Sequence, residues 1–213
     1  MKYGNFNLGQ VEAVFNKLGG EEGVMKFLRG ELVVSEATPK WREENGIIRF
    51  SVTSNGKTGE EWIAYLESRG DTVTDNVKSL LRSDKFVPTS GVTYEIAVLR
   101  GKSIPDKDRI TSNIRAEGDK RGWKHGKDMN PEVACLIREK FLDKELEPMG
   151  PWYIVAMHEP IEDSDGHPSL LHSRRVDGGR RLVAFYGDPD RQWGGSGGFA
   201  FVVSVSQVIG SQD

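Results

Sequence analysis

The sequence predicts an α+β fold. A helical N-terminal part spans residues 1–91, and a mixed, mainly antiparallel α+β domain spans 92–213. Three observations carry this. Apolar residues recur at helical spacing through much of the first region. β-rich runs then appear: VTYEIAVL (Val92 to Leu99), WYIVAM (Trp152 to Met157), RLVAFY (Arg181 to Tyr186) and FAFVVSVS (Phe199 to Ser206). After residue 150 helix signals fade and glycine takes over, with seven glycines within positions 178–198.

The elements follow in order. Leu8, Val11, Val14, Phe15 and Leu18 share a helical face, and Gly19-Gly20 ends it. Val24, Phe27 and Leu28 form a second short amphipathic turn, closed by Gly30. Leu32 to Val34 and Ile47 to Val52 read as strands, and Asn55-Gly56 as a turn. Thr58 with Glu61 fits a capping box that opens a helix bearing Trp62, Ile63, Tyr65 and Leu66. Thr74 caps a helix through Val77, Leu80 and Leu81. Pro105-Asp106 precedes a polar helix through Ile110 and Ile114. Asn130-Pro131-Glu132 starts another, with Val133, Leu136, Ile137 and Phe141 on one face. Asp163 to Pro168 is a turn, and 207–213 a loose tail. Trp152, Ile154, Phe185, Phe199 and Phe201 are the expected core of the second part.

Composition narrows the function. Across 213 residues, 29 Lys and Arg oppose 32 Asp and Glu, which argues against an obligate nucleic-acid binder. No apolar run approaches the roughly 18 residues of a membrane helix, so no membrane partner is expected. The start, MKYGNFNLGQ, has no apolar h-region, so a cytoplasmic location is expected. The single Cys135 excludes an intrachain disulfide and a multi-cysteine zinc site.

Several constellations offer chemistry. Glu162-Asp163-Ser164-Asp165-Gly166 places carboxylates at alternate positions, which suits a calcium ion bound through Asp163 and Asp165. Asp-Gly turns also form for local hydrogen-bonding reasons. His158, His167 and His172 lie close in sequence, at spacings that match no compact zinc pair. Cys135 sits early on a helix and is flanked by Ala134 and Leu136, as a thiol nucleophile or a small core residue. The basic loop Lys120 to Lys127 surrounds Trp123, either as a site for single-stranded nucleic acid or as a solvated loop with the ring beneath it. The helices of 58–83 carry too little positive charge for a DNA-reading pair. No dinucleotide, P-loop, esterase or zincin motif occurs.

The final region has a recognition composition. Its five basic residues are all Arg, and the last lysine is Lys144. Arg, Trp and Tyr are enriched in contact surfaces where Lys is depleted. Arg174, Arg175, Tyr186, Arg191 and Trp193 are therefore the expected anchors, with Gly and Ser giving shape freedom. The other reading is an ordinary Gly-rich hairpin loop. The expected partner is a protein or other macromolecule, without a cofactor. The runner-up is a nucleic-acid-acting enzyme or regulator using the basic loop 120–127 and the acidic turn 162–166. Oligomeric state stays open.

Two resemblances bear on this. WYIVAMHEPIEDSDGHPSLL, GFAFVVS, NKLGGEEGVMKFLRGELVV and EVACLIREKF together resemble a recurrent group of uncharacterised proteins of candidate-phyla bacteria. The order from Val92 (strand, helix, helix, strand, irregular stretch, strands) resembles the C-type-lectin fold used by variable proteins of diversity-generating retroelements. That resemblance implies a C-type-lectin-like domain whose terminal strands pair. It also implies diversified positions near the C-terminus: His172 to Arg175, Asp177, Tyr186, Asp188, Asp190 to Gln192, and Gly194 to Ser196. The expected ligand-binding residues are His172, Arg174, Arg175, Asp177, Tyr186, Asp188, Asp190, Arg191, Trp193 and Ser196. The disulfides and the Glu-Pro-Asn and Trp-Asn-Asp calcium motifs of sugar-binding lectins are missing, and Glu159-Pro160 is only a fragment.

Overall fold

A computed structural model describes residues 7–34, 39–176 and 179–207. The chain forms two compact units, Met1–Pro39 and Lys40–Asp213. In the first, α1 (Leu8–Lys17) packs on α2 (Gly20–Leu28). Asn7 opens α1 with a capping box: its Oδ1 accepts the Gln10 N–H at 2.9 Å, and its own N–H donates to Gln10 Oε1 at 3.0 Å. Gly19, at φ 92°, makes the left-handed step between the helices. The strand expected at Leu32 to Val34 does not form.

The second unit holds, in order, β1 (Arg42–Glu44), β2 (Ile47–Asn55), α3 (Gly59–Ser68), β3 (Thr72–Val73), α4 (Asp75–Leu81), β4 (Ser90–Arg100), α5 (Thr111–Asp119) and α6 (Glu132–Lys140). Then come α7 (Asp143–Leu146), β5 (Tyr153–Ala156), β6 (Ile161–Glu162), β7 (Pro168–Val176), β8 (Gly179–Tyr186) and β9 (Gly197–Gln207). All strands join one sheet in the order β1-β2-β4-β9-β5-β7-β8-β3, with β6 beside β7. The β9–β5 and β8–β3 pairs are parallel and the others antiparallel. The architecture is therefore mixed α+β. Among the described residues no helix is long and apolar enough to cross a membrane.

Register assigns the faces, because paired residues point the same way and alternate residues point apart. One face carries Ile48, Phe50, Ile154, Ser173 and Leu182, covered by α6. There Ser173 Oγ donates to the Ala134 carbonyl at 3.0 Å, and the Phe50 ring meets Phe141 edge-on at 4.9 Å. The other face carries Tyr153, His172, Phe199 and Phe201. On it α5 comes so close that a Cβ on Gly118 would lie 2.4 Å from the Phe201 ring.

Four strands lie where the β-rich runs put them, and three expectations change. The boundary expected between 91 and 92 falls inside β4, whose residues pair with β2. A sheet that joins residues 47–55 to 90–100 leaves no division there. β7 was not expected: its second half, His172-Ser173-Arg174-Arg175, is polar, yet it is a central strand. Trp152 is 47% exposed rather than core, with the Arg175 guanidinium 4.6 Å from its ring centroid. Phe185 is half-buried, while Ile154, Phe199 and Phe201 are buried as expected. Of the expected tail, 208–213 lie outside the described residues.

Candidate functional site

β5, β7 and β8 bring Tyr153, His172, Arg174 and Phe185 onto the face shared with α5. The segment between β8 and β9 crosses that face and adds Arg191, Gln192, Trp193 and Gly194. Together they line a cavity of about 160 Å³. Tyr153 lies 5.6 Å from the His172 ring and 6.3 Å from the Trp193 ring, and Phe185 lies 6.0 Å from both His172 and Trp193. Four of the residues singled out from sequence (His172, Arg174, Arg191 and Trp193) converge here.

The crossing segment is anchored by residues far away in sequence. The Trp193 N–H donates to the Arg109 carbonyl at 2.9 Å, and its indole Nε1–H to Thr111 Oγ1 at 2.9 Å. The Thr111 N–H donates to the Arg191 carbonyl at 3.1 Å, and the Ser112 N–H to the Pro189 carbonyl at 2.8 Å. Arg109 is itself buried, donating to the Gly101 carbonyl at 2.9 Å and to the Ile104 carbonyl at 2.7 Å. Trp193, 4% exposed, is thus a buried wall of the cavity rather than an exposed anchor. Several of the glycines serve close packing rather than freedom: a Cβ on Gly197 would lie 2.5 Å from the Tyr153 ring.

The polar groups of the cavity are unevenly satisfied. The Arg191 guanidinium carbon lies 4.5 Å from the Phe185 ring centroid and 6.0 Å from that of Trp193. Arg191 Nε and His172 Nδ1 are buried without hydrogen-bond partners among the described residues. Burial, helped by the charge of Arg174, pushes the His172 pKa down to about 3, so the imidazole is neutral at physiological pH. Burial likewise raises the Tyr153 phenol, whose hydroxyl donates to the Gly194 carbonyl at 3.3 Å.

The other nominated residues lie elsewhere. Arg175 points to the opposite face from Arg174, donating to the Pro151 carbonyl at 3.2 Å. Tyr186, 44% exposed, ends β8 and meets His167 edge-on at 5.0 Å. Asp188 and Asp190 flank the start of the crossing segment, and Ser196 lines a separate shallow cleft with Arg100 and Lys102. Asp177 lies outside the described residues.

In the acidic turn, Asp163, Asp165 and His167 each offer an atom within 4.8 Å of the others, the only such group among the described residues. Asp163 is already occupied. Its Oδ1 accepts the N–H groups of Asp165 and His167, each at 3.0 Å, and its Oδ2 accepts Ser169 Oγ–H at 3.4 Å. Burial raises this carboxyl, but those donors outweigh it and hold the pKa below the usual range. Asp165 and His167 are exposed. The arrangement is that of an Asx turn.

The three clustered histidines do not converge on one point. His158 is buried: its Nδ1–H donates to the Glu159 carbonyl at 2.6 Å and its Nε2 accepts the Leu171 N–H at 3.0 Å. Both ring nitrogens are therefore occupied, and the Nε2 bond ties β7 to the chain just after β5. Cys135 is buried on α6, and burial raises its thiol pKa well above the ordinary value, opposite to what a nucleophile needs. In the basic loop, Lys120 and Arg121 both pair with Glu117, and Trp123 is buried against Phe201 at 5.6 Å. That ring is not available to stack on a base. A larger groove of about 580 Å³ lies between α5 and Asn45 to Ile47, lined by this same Glu117–Lys120–Arg121 group.

Tyr153, Phe185, Arg109 and Thr111 were missed from the sequence. Tyr153 and Phe185 both stand in β-rich runs, Phe185 as an expected core residue; only strand register reveals that they flank an open cavity. Arg109 and Thr111 sit in a polar stretch without any local signal. No known protein family, curated protein or solved structure matches the chain.

Proposed function

We propose that this chain is a non-enzymatic recognition protein whose second unit has a C-type-lectin-like arrangement, presenting the cavity and its rim to a protein or other macromolecular partner. The observation that carries the reading is the convergence of His172, Arg174, Arg191 and Trp193 with Tyr153 and Phe185 around one opening. Small polar-and-aromatic pockets on a rigid sheet suit recognition. The pairing of β4 with β9, the first and last strands from Ser90 onward, with α5 and α6 between them in sequence, supports the lectin-like arrangement. The nucleic-acid alternative gains nothing from a basic loop whose Lys120 and Arg121 are held by Glu117 and whose tryptophan is buried.

The reading extends to diversification. Exposed Arg174, Asp190 and Ser196 can vary without disturbing the core, whereas buried Trp193 cannot. The test is to sequence the locus and its flanks from sibling isolates. The expected finding is a near-copy of the codons for 172–204, a reverse-transcriptase gene, and differences that spare Trp193. An invariant segment with no such neighbour removes diversification from the proposal.

A further inference from the structure

We propose that the cavity of Tyr153, His172, Phe185, Arg191 and Trp193 receives a single carboxylate-bearing side chain, a Glu or Asp, from a protein partner. This rests on the recognition reading above and specifies its chemistry.

Size comes first. At about 160 Å³ the cavity is smaller than the roughly 300–1,000 Å³ typical of small-molecule sites. It holds one side chain, not a cofactor. Three aromatic rings supply the walls, which suits the methylenes of an acidic side chain.

The polar inventory then fixes the sign of the occupant. The charged residues lining the cavity are Arg174 and Arg191, and no carboxylate lines it. Neither arginine has a carboxylate within ion-pair distance among the described residues. The Arg191 guanidinium carbon lies 4.5 Å from the Phe185 ring centroid, and its side chain donates no hydrogen bond among the described residues. Its Nε is buried without an acceptor. His172 is 2% exposed and lines the cavity with Nδ1 unpartnered. Buried polar groups are nearly always satisfied, so two unsatisfied ones at a single opening call for a ligand or water. The two guanidiniums are donors only, and neutral His172 adds a donor in the tautomer that protonates Nδ1, so the complement of the set is an anionic acceptor.

Shape separates carboxylate from phosphate. A planar guanidinium pairs with a carboxylate through two parallel N–H···O bonds. A tetrahedral dianion needs donors around all its oxygens, and here the aromatic walls offer none.

The test uses the full chain. Random peptides displayed on phage are selected on the immobilised protein, and selected peptides are titrated by fluorescence polarisation. The expected peptides share a Glu or Asp whose change to Gln or Asn weakens binding roughly ten-fold or more. The same change has little effect on Arg191→Gln, because the partner charge is already gone. Arg191→Lys falls between, keeping the charge without the fork. Thermal melts confirm that each variant folds, and the peptide-side substitution reads the same contact in the unaltered protein. Sodium propionate competes with the peptides, while propionamide does not.

Other outcomes are distinct. Peptides that lose affinity on Arg174→Ala or Tyr186→Ala, but ignore Arg191→Gln and carry no required acid, overturn the carboxylate and leave the recognition reading standing. Stronger competition by inorganic phosphate than by propionate also overturns it. No selected peptide, together with no change in the His172 or Trp193 NMR signals on adding propionate, removes both.

Discussion

Trp193 donates its indole N–H to the hydroxyl of Thr111 at 2.9 Å, across 82 residues of sequence and inside the protein. The bond joins the segment before β9 to the first residue of α5. It keeps the tryptophan ring standing as a wall of the cavity, edge-on to Phe199 at 5.8 Å. The cavity therefore depends on a polar contact that no cavity-lining residue can make alone.

The first expected consequence is that this part of the site is also core. Trp193→Ala removes a buried ring and should lower stability by about 3–5 kcal/mol. Thr111→Val keeps the shape but strands the buried indole N–H, at about 1–3 kcal/mol. Urea denaturation should rank wild type above Thr111→Val, and Thr111→Val above Trp193→Ala. An unchanged midpoint for Trp193→Ala would mean that the ring bears no structural load.

Two glycines in this neighbourhood should fail in different ways. Neither has a positive φ, so the effect of alanine is steric. At Gly101 a Cβ would lie 2.9 Å from the carbonyl oxygens of both Gly194 and Gly197, and 3.1 Å from that of Gly195. Backbone cannot step aside cheaply, and Gly101→Ala should cost about 1–3 kcal/mol. At Gly197 the obstacle is the far end of the Tyr153 side chain, which can swing toward the cavity. Gly197→Ala should therefore melt closer to wild type while shifting the Tyr153 and His172 NMR signals. Equal melting losses for the two variants would contradict this distinction.

Buried histidines set an acid limit. Burial lowers the pKa of His172 to about 3 and that of His158 to about 4, from an ordinary value near 6.5. Below pH 6.5 the unfolded chain takes up protons that the folded chain refuses. Stability is then full above that pH and falls as pH drops toward 4, by on the order of a few kcal/mol per histidine. Thermal melts between pH 7 and pH 4 should show the decline. His172→Phe, which keeps a ring between Tyr153 and Phe185, should flatten part of it. A profile for His172→Phe as steep as that of wild type would assign the decline to other groups.

The same contrast between local pattern and long-range contact explains what the sequence made legible. β4 and β9 lie inside the sheet, and their buried stretches, Ile96 to Leu99 and Phe199 to Val202, put apolar residues on both faces and so read as continuous hydrophobic runs. The capping box at Thr58 and Glu61 is local, and it forms as the residues imply. β7 hid because long-range placement accounts for its polar side chains: Ser173 bonds the Ala134 carbonyl, and His172 faces the cavity. The pairing of β2 with β4 spans some forty residues and leaves no mark on either segment alone. Arg174, Arg191 and Trp193 were visible by residue type, but their exposure was not. The burial of Trp193 is decided by Arg109 and Thr111, which no flanking residue announces.

The acidic turn supplies a last discrimination, between a metal ligand and a backbone clamp. Asp163 is 8% exposed, and its Oδ1 accepts two backbone N–H groups from its own turn. A carboxylate used in this way steadies the chain as it enters β7, and its loss strands those donors. Asp163→Ala should therefore cost about 1–3 kcal/mol. The loss should be the same in calcium chloride and in EDTA. Asp165→Ala, by contrast, removes a solvent-exposed carboxylate and should melt within about 0.5 kcal/mol of wild type. A metal centre gives the opposite pattern: calcium raises the melting temperature of the wild type, and both variants lose that increment together. Melts of the three proteins with and without calcium decide between the two, because only a ligand role makes Asp165 matter.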